Sequence, residues 1–182
     1  MIKAAINEYW YCEWIRECQE KPTRKYLAIP KNPIGNPHNI WKCAKNNIQD
    51  IKKAELKCKL VTGKYMLQSI RSKFSKAAMT PFCQLCTKAV EDIRHFLLDC
   101  EKLNDVRQKH YDSLVDYLRS LLGGDITVQL EKEQFLNILL DCSNVPQLFA
   151  IKTEDKLKLE RKTQNFCYYL HMKRATMLMS RQ

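Results

Sequence analysis

Glycine is scarce in this chain, four among 182 residues. That scarcity excludes the loops in which successive backbone N–H groups cradle a nucleotide phosphate. No Gly-x-Ser-x-Gly elbow, His-Glu-x-x-His helix or Tyr-x-Asp-Asp polymerase motif occurs. Glu131 and Glu133 flank Lys132 on an expected helix with no partner strand, so they read as solvated charge rather than a nuclease metal site. The expectation is therefore a chain with no catalytic residues, not an enzyme in its own right. A run of about 18 apolar residues is also missing, which removes a membrane span. The first ten residues, Met-Ile-Lys-Ala-Ala-Ile-Asn-Glu-Tyr-Trp, lack the apolar core and cleavage site of a signal peptide. Strand-like alternation is confined to a weak stretch, Ile126-Thr-Val-Gln-Leu130.

What the chain does have is cysteine and positive charge. Nine cysteines is an odd number. Without a signal peptide it points to a reducing intracellular compartment, nucleus or cytoplasm, with mostly free thiols. Six of them (Cys12, Cys18, Cys43, Cys58, Cys142 and Cys167) are scattered. The other three fall with a histidine in Cys83-x2-Cys86-x8-His95-x4-Cys100. Three thiols and one imidazole are a standard structural set for Zn²⁺, which takes four such ligands in a tetrahedron. With all four positions filled by protein, no place is left for a catalytic water. Two competing readings are a pair of small buried apolar cysteines and a disulfide framework. A geometric condition also applies. His95 and Cys100 stand five residues apart, roughly 140° around an ideal helix, so the helix carrying His95 must open or end near Asp99 for both to reach one metal.

The net charge of +11 is unevenly spread. Residues 48–88 hold nine basic and two acidic residues, net +7, whereas residues 89–145 are net −5. Clustering of this kind suits a polyanion, each neutralised phosphate releasing counterions. The candidate phosphate contacts are Lys52, Lys53, Lys57, Lys59, Lys64, Arg71, Lys73 and Lys76. The plainer reading is a solvated lysine-rich surface.

Periodicity predicts an all-α protein. Residues 2–20 carry an apolar stripe through Ile2, Ile6, Trp10, Trp14 and Cys18, with Tyr9 beside it, read as core or as a face for a partner helix. From Pro22 to Pro37 four of the six prolines fall together. No helix survives that density, so an ordered loop packed by Tyr26, Leu27 and Ile29 is expected. Two basic helices follow, 47–61 capped by Asn47 and about 64–76, joined at Gly63. Beyond the knuckle come a helix at 102–121 with His110 in its apolar stripe, a short one at 131–141, and a last one from Thr153. The outer face of that last helix is read as Lys156, Lys158, Arg161, Lys162, Lys173 and Arg174. Glu91, one turn before His95, is a candidate to accept the imidazole N–H and fix its tautomer. The whole is a bundle-like helical domain with the zinc knuckle inserted between helical hairpins. Its stretches are 1–47 (helix and proline-rich loop), 48–122 (basic pair, knuckle, long helix) and 123–182 (C-terminal helices).

Two motifs within 48–110 resemble a known family. Thr62-Gly63-Lys-Tyr65-Met-Leu67-Gln68, followed by Cys83-Gln-Leu-Cys86 and Glu91-Asp-Ile-Arg-His95-Phe-Leu-Leu98, looks like the zinc-binding segment that follows the polymerase in non-LTR (LINE-type) retrotransposon proteins. Arg107 extends the match. The resemblance implies a Zn²⁺ cofactor and a role in holding template RNA or target DNA during target-primed reverse transcription. It also implies the polymerase portion as a partner and no catalysis by the segment itself. Fingers, palm and endonuclease are missing here, which fits a fragment, a truncated remnant or a domesticated derivative. The leading expectation is thus a non-catalytic, zinc-dependent nucleic-acid-binding domain acting mainly through phosphates. The alternative is a protein-interaction or scaffold module docking through Tyr9, Trp10 and Trp14 or through the acidic 89–145 stretch.

Overall fold

The computed structural model describes residues 2–21, 24, 26–27, 35–45, 47–75, 79–123 and 131–180. Among these residues run α1 (Ile2–Glu20), α2 (Asn39–Lys42), α3 (Ile48–Val61), α4 (Gln68–Phe74), α5 (Asn104–Leu122), α6 (Lys132–Leu140) and α7 (Thr153–Met179). The one β-pairing among them is an isolated antiparallel bridge between Phe82 and Val90. The all-α expectation is met. The expected loop residues Pro22, Ile29, Pro30 and Pro33 and the weak strand 126–130 lie outside the described residues.

The bundle is built around α7. Its 27 residues make a rod about 40 Å long, and α2, α3, α5 and α6 all pack on it. The reason is its buried stripe of Leu159, Thr163, Phe166, Cys167, Leu170 and Arg174, spaced at three and four residues. One hydrophobic core runs through Tyr26 and Ile40, Leu56, Leu60 and Val61, Phe96 and Leu97, Leu114 and Leu118, and Phe135 to Leu140. It therefore crosses all three sequence stretches.

Helix ends follow local chemistry. Asn47 accepts the Asp50 N–H at 2.8 Å, the N-cap expected of it. At the other end of α3, Lys64 N–H reaches Lys59 C=O (2.8 Å) and Gly63 N–H reaches Leu60 C=O (3.2 Å), with Gly63 at φ +68°. This Schellman turn needs the left-handed conformation that glycine adopts freely. The turn continues, because Tyr65 N–H also returns to Lys59 C=O at 3.0 Å. The second basic helix therefore starts at Gln68, not at 64. Glu131 caps α6 in a box with Gln134, a structural role for an acid already set aside as a nuclease ligand.

Two features depart from the apolar pattern. The stripe on α1 does not join the core: Ile2, Ile6, Tyr9 and Trp10 are exposed and Cys18 alone is buried on that helix. The core instead holds ionic groups. Lys57 and Glu160 are both fully buried and paired at 3.0 Å. Lys57 also donates to Thr163 Oγ1 at 2.5 Å, and Gln164 donates to Ile40 C=O at 2.9 Å. Burial alone pushes the Lys57 ammonium down, but Glu160 outweighs it and holds the group above its usual range. Pairs of this kind specify a fit between helices more than they add stability, and losing one partner is what costs.

His38 supplies a pH-dependent contact. Its Nε2 lies 3.2 Å from the buried Asp141 carboxylate, and in the neutral ring its Nδ1 accepts the Ile40 N–H at the start of α2 (3.2 Å), a bond that protonation gives up in exchange for the ion pair with Asp141. Burial opposes protonation of the ring, yet Asp141 prevails and raises its pKa. A raised folded pKa contributes stability that is complete below the unfolded value of about 6.5 and is lost as pH rises through the folded value. The urea midpoint should therefore fall more steeply for the wild type than for His38→Gln as pH rises from about 6 to about 8. Identical pH profiles for the two proteins would contradict the His38–Asp141 contribution.

Candidate metal centre

The metal-ligating stretch folds as a small hairpin followed by an unusual helical turn. Cys83 N–H donates to Ala89 C=O (2.8 Å) and Glu91 N–H to Pro81 C=O (2.9 Å), which seats Cys83 and Cys86 in the loop between. Thr87 closes that loop, donating its N–H to Cys83 C=O at 2.8 Å with φ at +60°. A β-branched residue rarely adopts this conformation, so the surrounding contacts over-determine it.

Residues His95–Asp99 form a π-turn. Cys100 N–H donates to His95 C=O at 2.8 Å, an i to i+5 bond that brings Cys100 back over His95. The 140° obstacle of the α-helix is removed by widening the turn, a device common at functional sites. Asp92 starts the turn by accepting the His95 N–H at 2.8 Å. Arg107, reaching back from α5, donates to Leu97 C=O (2.9 Å) and Cys100 C=O (2.8 Å). Carbonyls that a regular helix would have used are thereby satisfied.

Cys83, Cys86, His95 and Cys100 converge, all buried, with their ligand atoms within 4.8 Å of one another. Cys83 Sγ and Cys100 Sγ lie 3.8 Å apart, and Cys86 Sγ and His95 Nε2 lie 3.3 Å apart. A zinc tetrahedron with bonds of about 2.3 Å to sulfur and 2.0 Å to nitrogen places such atoms about 3.8 and 3.5 Å apart. The donor set and its spacing fit: this is a Cys3His cluster capable of coordinating Zn²⁺. The sulfurs are too far apart for a disulfide, which needs about 2.05 Å. Contact with the Cys100 thiol holds the Cys83 thiol below its usual range, against the effect of burial.

Glu91 does not take the candidate role of accepting from the imidazole. Arg174 binds it through two N–H groups, Nε to Oε1 (2.7 Å) and Nη2 to Oε2 (2.8 Å). Gln68 donates its backbone N–H to Oε2 (2.9 Å) at the start of α4. Oε1 also lies 4.0 Å from Cys83 Sγ. One buried carboxylate thus joins the metal hairpin, α4 and α7. Arg174, expected on the outer face of α7, is only 8% exposed. Its spacing of four residues from Leu170 placed it on the buried stripe, a signal that its charge masked. Beside this junction Tyr65 stacks on Phe96 at 5.4 Å and its hydroxyl meets His171 Nδ1 at 2.8 Å.

The basic residues divide. Lys57 is corrected: fully buried and paired with Glu160, it has no access to a phosphate. Lys53 is half-buried near Asp50 (3.8 Å), and Lys59 is exposed but paired with Glu55 at 2.6 Å. Lys52, Lys64, Arg71 and Lys73 are exposed, and among the described residues no carboxylate forms an ion pair with them. Lys76 lies outside the described residues. Lys52, Lys59, Lys64 and Arg71 line one groove of about 600 Å³ together with Glu55, the carboxylate that Lys59 meets, and with Tyr168, His171 and Met172 of α7 on its other wall. His110, expected in the core, is half-buried and stacks on Tyr169 at 4.5 Å.

None of the protein-family models, curated proteins or solved structures compared with this chain matches it.

The chain should bind one zinc ion, and Cys86→Ser or Cys100→Ser should abolish retention after dialysis, as read by metal analysis. Full retention by both variants would contradict the assignment. Arg174→Ala leaves Glu91 buried and unpaired, and should cost about 3–5 kcal/mol in chemical unfolding. Adding Glu91→Gln to that variant should recover part of the loss, and strictly additive losses would contradict the pairing.

Proposed function

We propose that this chain is a non-catalytic, zinc-stapled nucleic-acid-binding module of a non-LTR retrotransposon-type protein, either a segment of one or a derivative. It holds RNA or DNA chiefly by the phosphates, in the nucleus or cytoplasm, alongside a polymerase portion that it does not itself contain. No described helix is long and apolar enough to cross a membrane.

The observation that carries this reading is the groove. Four basic side chains from α3, the turn after it and α4 converge on one concavity, and α4 and α7 on its flanks are both tied to Glu91 beside Cys83. In support of the family resemblance, its two motifs pack on one another: Tyr65 of the first stacks on Phe96 of the second, and Gln68 binds Glu91. Residues paired in such a segment then have a shared reason, since the first motif lines the basic groove with Lys64, Tyr65 and Met66 and the second carries the metal ligands. Zinc acts as a pin between them, and the charges do the binding.

A second reading rests on α1, whose Ile2, Ile6, Tyr9 and Trp10 lie exposed along one helix. That face suits a protein partner, and the two roles are compatible.

Nucleic-acid binding should weaken as salt rises, with little sequence preference. Lys52→Glu, Lys59→Glu and Lys64→Glu together should weaken it strongly. Each phosphate contact removed should reduce the log–log salt slope by about 0.7 to 0.9. Anisotropy titrations of the zinc-loaded chain at two salt concentrations measure both. Unchanged affinity and slope in the triple variant would exclude this groove. No salt-sensitive binding by the wild type, with capture of a protein through α1, would favour the second reading alone.

A further inference from the structure

The basic groove does not end at Arg71. A second concavity of about 870 Å³ lies against the zinc hairpin, and Arg71 and Arg174 line both. On its hairpin side are Phe82, Gln84 and Thr87. Phe82 is 47% exposed although it directly precedes the metal ligand Cys83. A lone exposed aromatic means little by itself. This one is held on both sides, by its bridge to Val90 and by the Cys83 N–H bond to Ala89, so its backbone is fixed by the metal-bearing loop.

Resting on the nucleic-acid reading above, we propose that the two concavities form one track for a single-stranded nucleic acid. Lys52, Lys64 and Arg71 follow its phosphates, and Phe82 stacks on an unpaired base. The physical argument is access. In a duplex the faces of the bases are covered by their neighbours, so a side chain recessed in a groove reaches only phosphates and edges. In a single strand each base can turn out and lay its face on an aromatic ring, which is how sequence-tolerant single-strand sites work. A concave path with cations along one stretch and a fixed ring at the far end provides both parts. Arg174 keeps its place because Glu91 holds it, while Arg71, exposed and without an ion pair among the described residues, is available to a phosphate at the junction.

The test uses the full zinc-loaded chain with labelled single-stranded RNA, single-stranded DNA and the matching duplex, titrated separately by anisotropy. Either single strand should bind more tightly than the duplex. Phe82→Leu should weaken single-strand binding about five-fold or more, the loss of one stacked base, and leave duplex binding unchanged. Phe82→Tyr, which keeps the ring, should bind as the wild type does. Zinc content and circular dichroism equal to the wild type's confirm that Phe82→Leu is folded. Single-strand affinity unchanged in Phe82→Leu overturns the track, and if the lysine charge reversals still weaken binding, the proposed function stands without it. Equal weakening of duplex and single strand by Phe82→Leu likewise overturns stacking on an unpaired base. A wild-type chain that binds no nucleic acid overturns both.

Discussion

A single buried carboxylate sets the geometry of this protein. Glu91 lies 2% exposed beside a metal-ligating thiol, where an unpaired charge would be strongly unfavourable. It is tolerated because Arg174 meets it with two parallel N–H bonds and the first N–H of α4 adds a third. Each partner comes from a different element. The requirement to satisfy one charge therefore fixes where α4 begins, how the C-terminal half of α7 is rotated, and where the zinc hairpin sits between them. The same logic recurs lower in the bundle, where Glu160 draws Lys57 of α3 inward and Gln164 ties α7 to α2. These contacts orient the helices while the apolar stripe beneath supplies most of the attraction between them.

The metal cluster is a second constraint laid on the first. Three thiols and an imidazole come together only because the chain between His95 and Cys100 takes a π-turn, and that turn has its own support in Asp92 and Arg107. Four protein donors complete a tetrahedral zinc site, and the turn that carries them bounds the surface beside it. What it shapes is a pair of concavities sharing Arg71 and Arg174, one lined by lysines and one by the hairpin itself.

Much of this was legible in the residues. The ligand spacing identified the metal set, Asn47 and Gly63 marked the ends of α3, and three- and four-residue periodicity located α5, α6 and α7. The rest was hidden for identifiable reasons. Charge was read as exposure, which is the general rule, so Lys57 and Arg174 were assigned to the surface although their carboxylate partners lie 103 and 83 residues away. The π-turn leaves no mark on composition. It was foreseeable only as a condition that the metal imposes. The start of α4 at Gln68 has no mark in the sequence, because the turn that Gly63 opens runs on through Tyr65, whose N–H returns to Lys59 C=O and whose ring stacks on Phe96. The α1 stripe has helical periodicity and no cover, and periodicity alone does not say what covers it.

A metal that holds α4 and α7 in place through Glu91 must loosen both when it leaves. Amide hydrogen exchange on the full chain, with zinc bound and with zinc removed by chelator, tests this most directly. Removal should strip protection from residues 83–100, from α4 and from the C-terminal half of α7 together, while α6 keeps most of its own. Loss confined to residues 83–100, with α4 and α7 as protected as before, would contradict it.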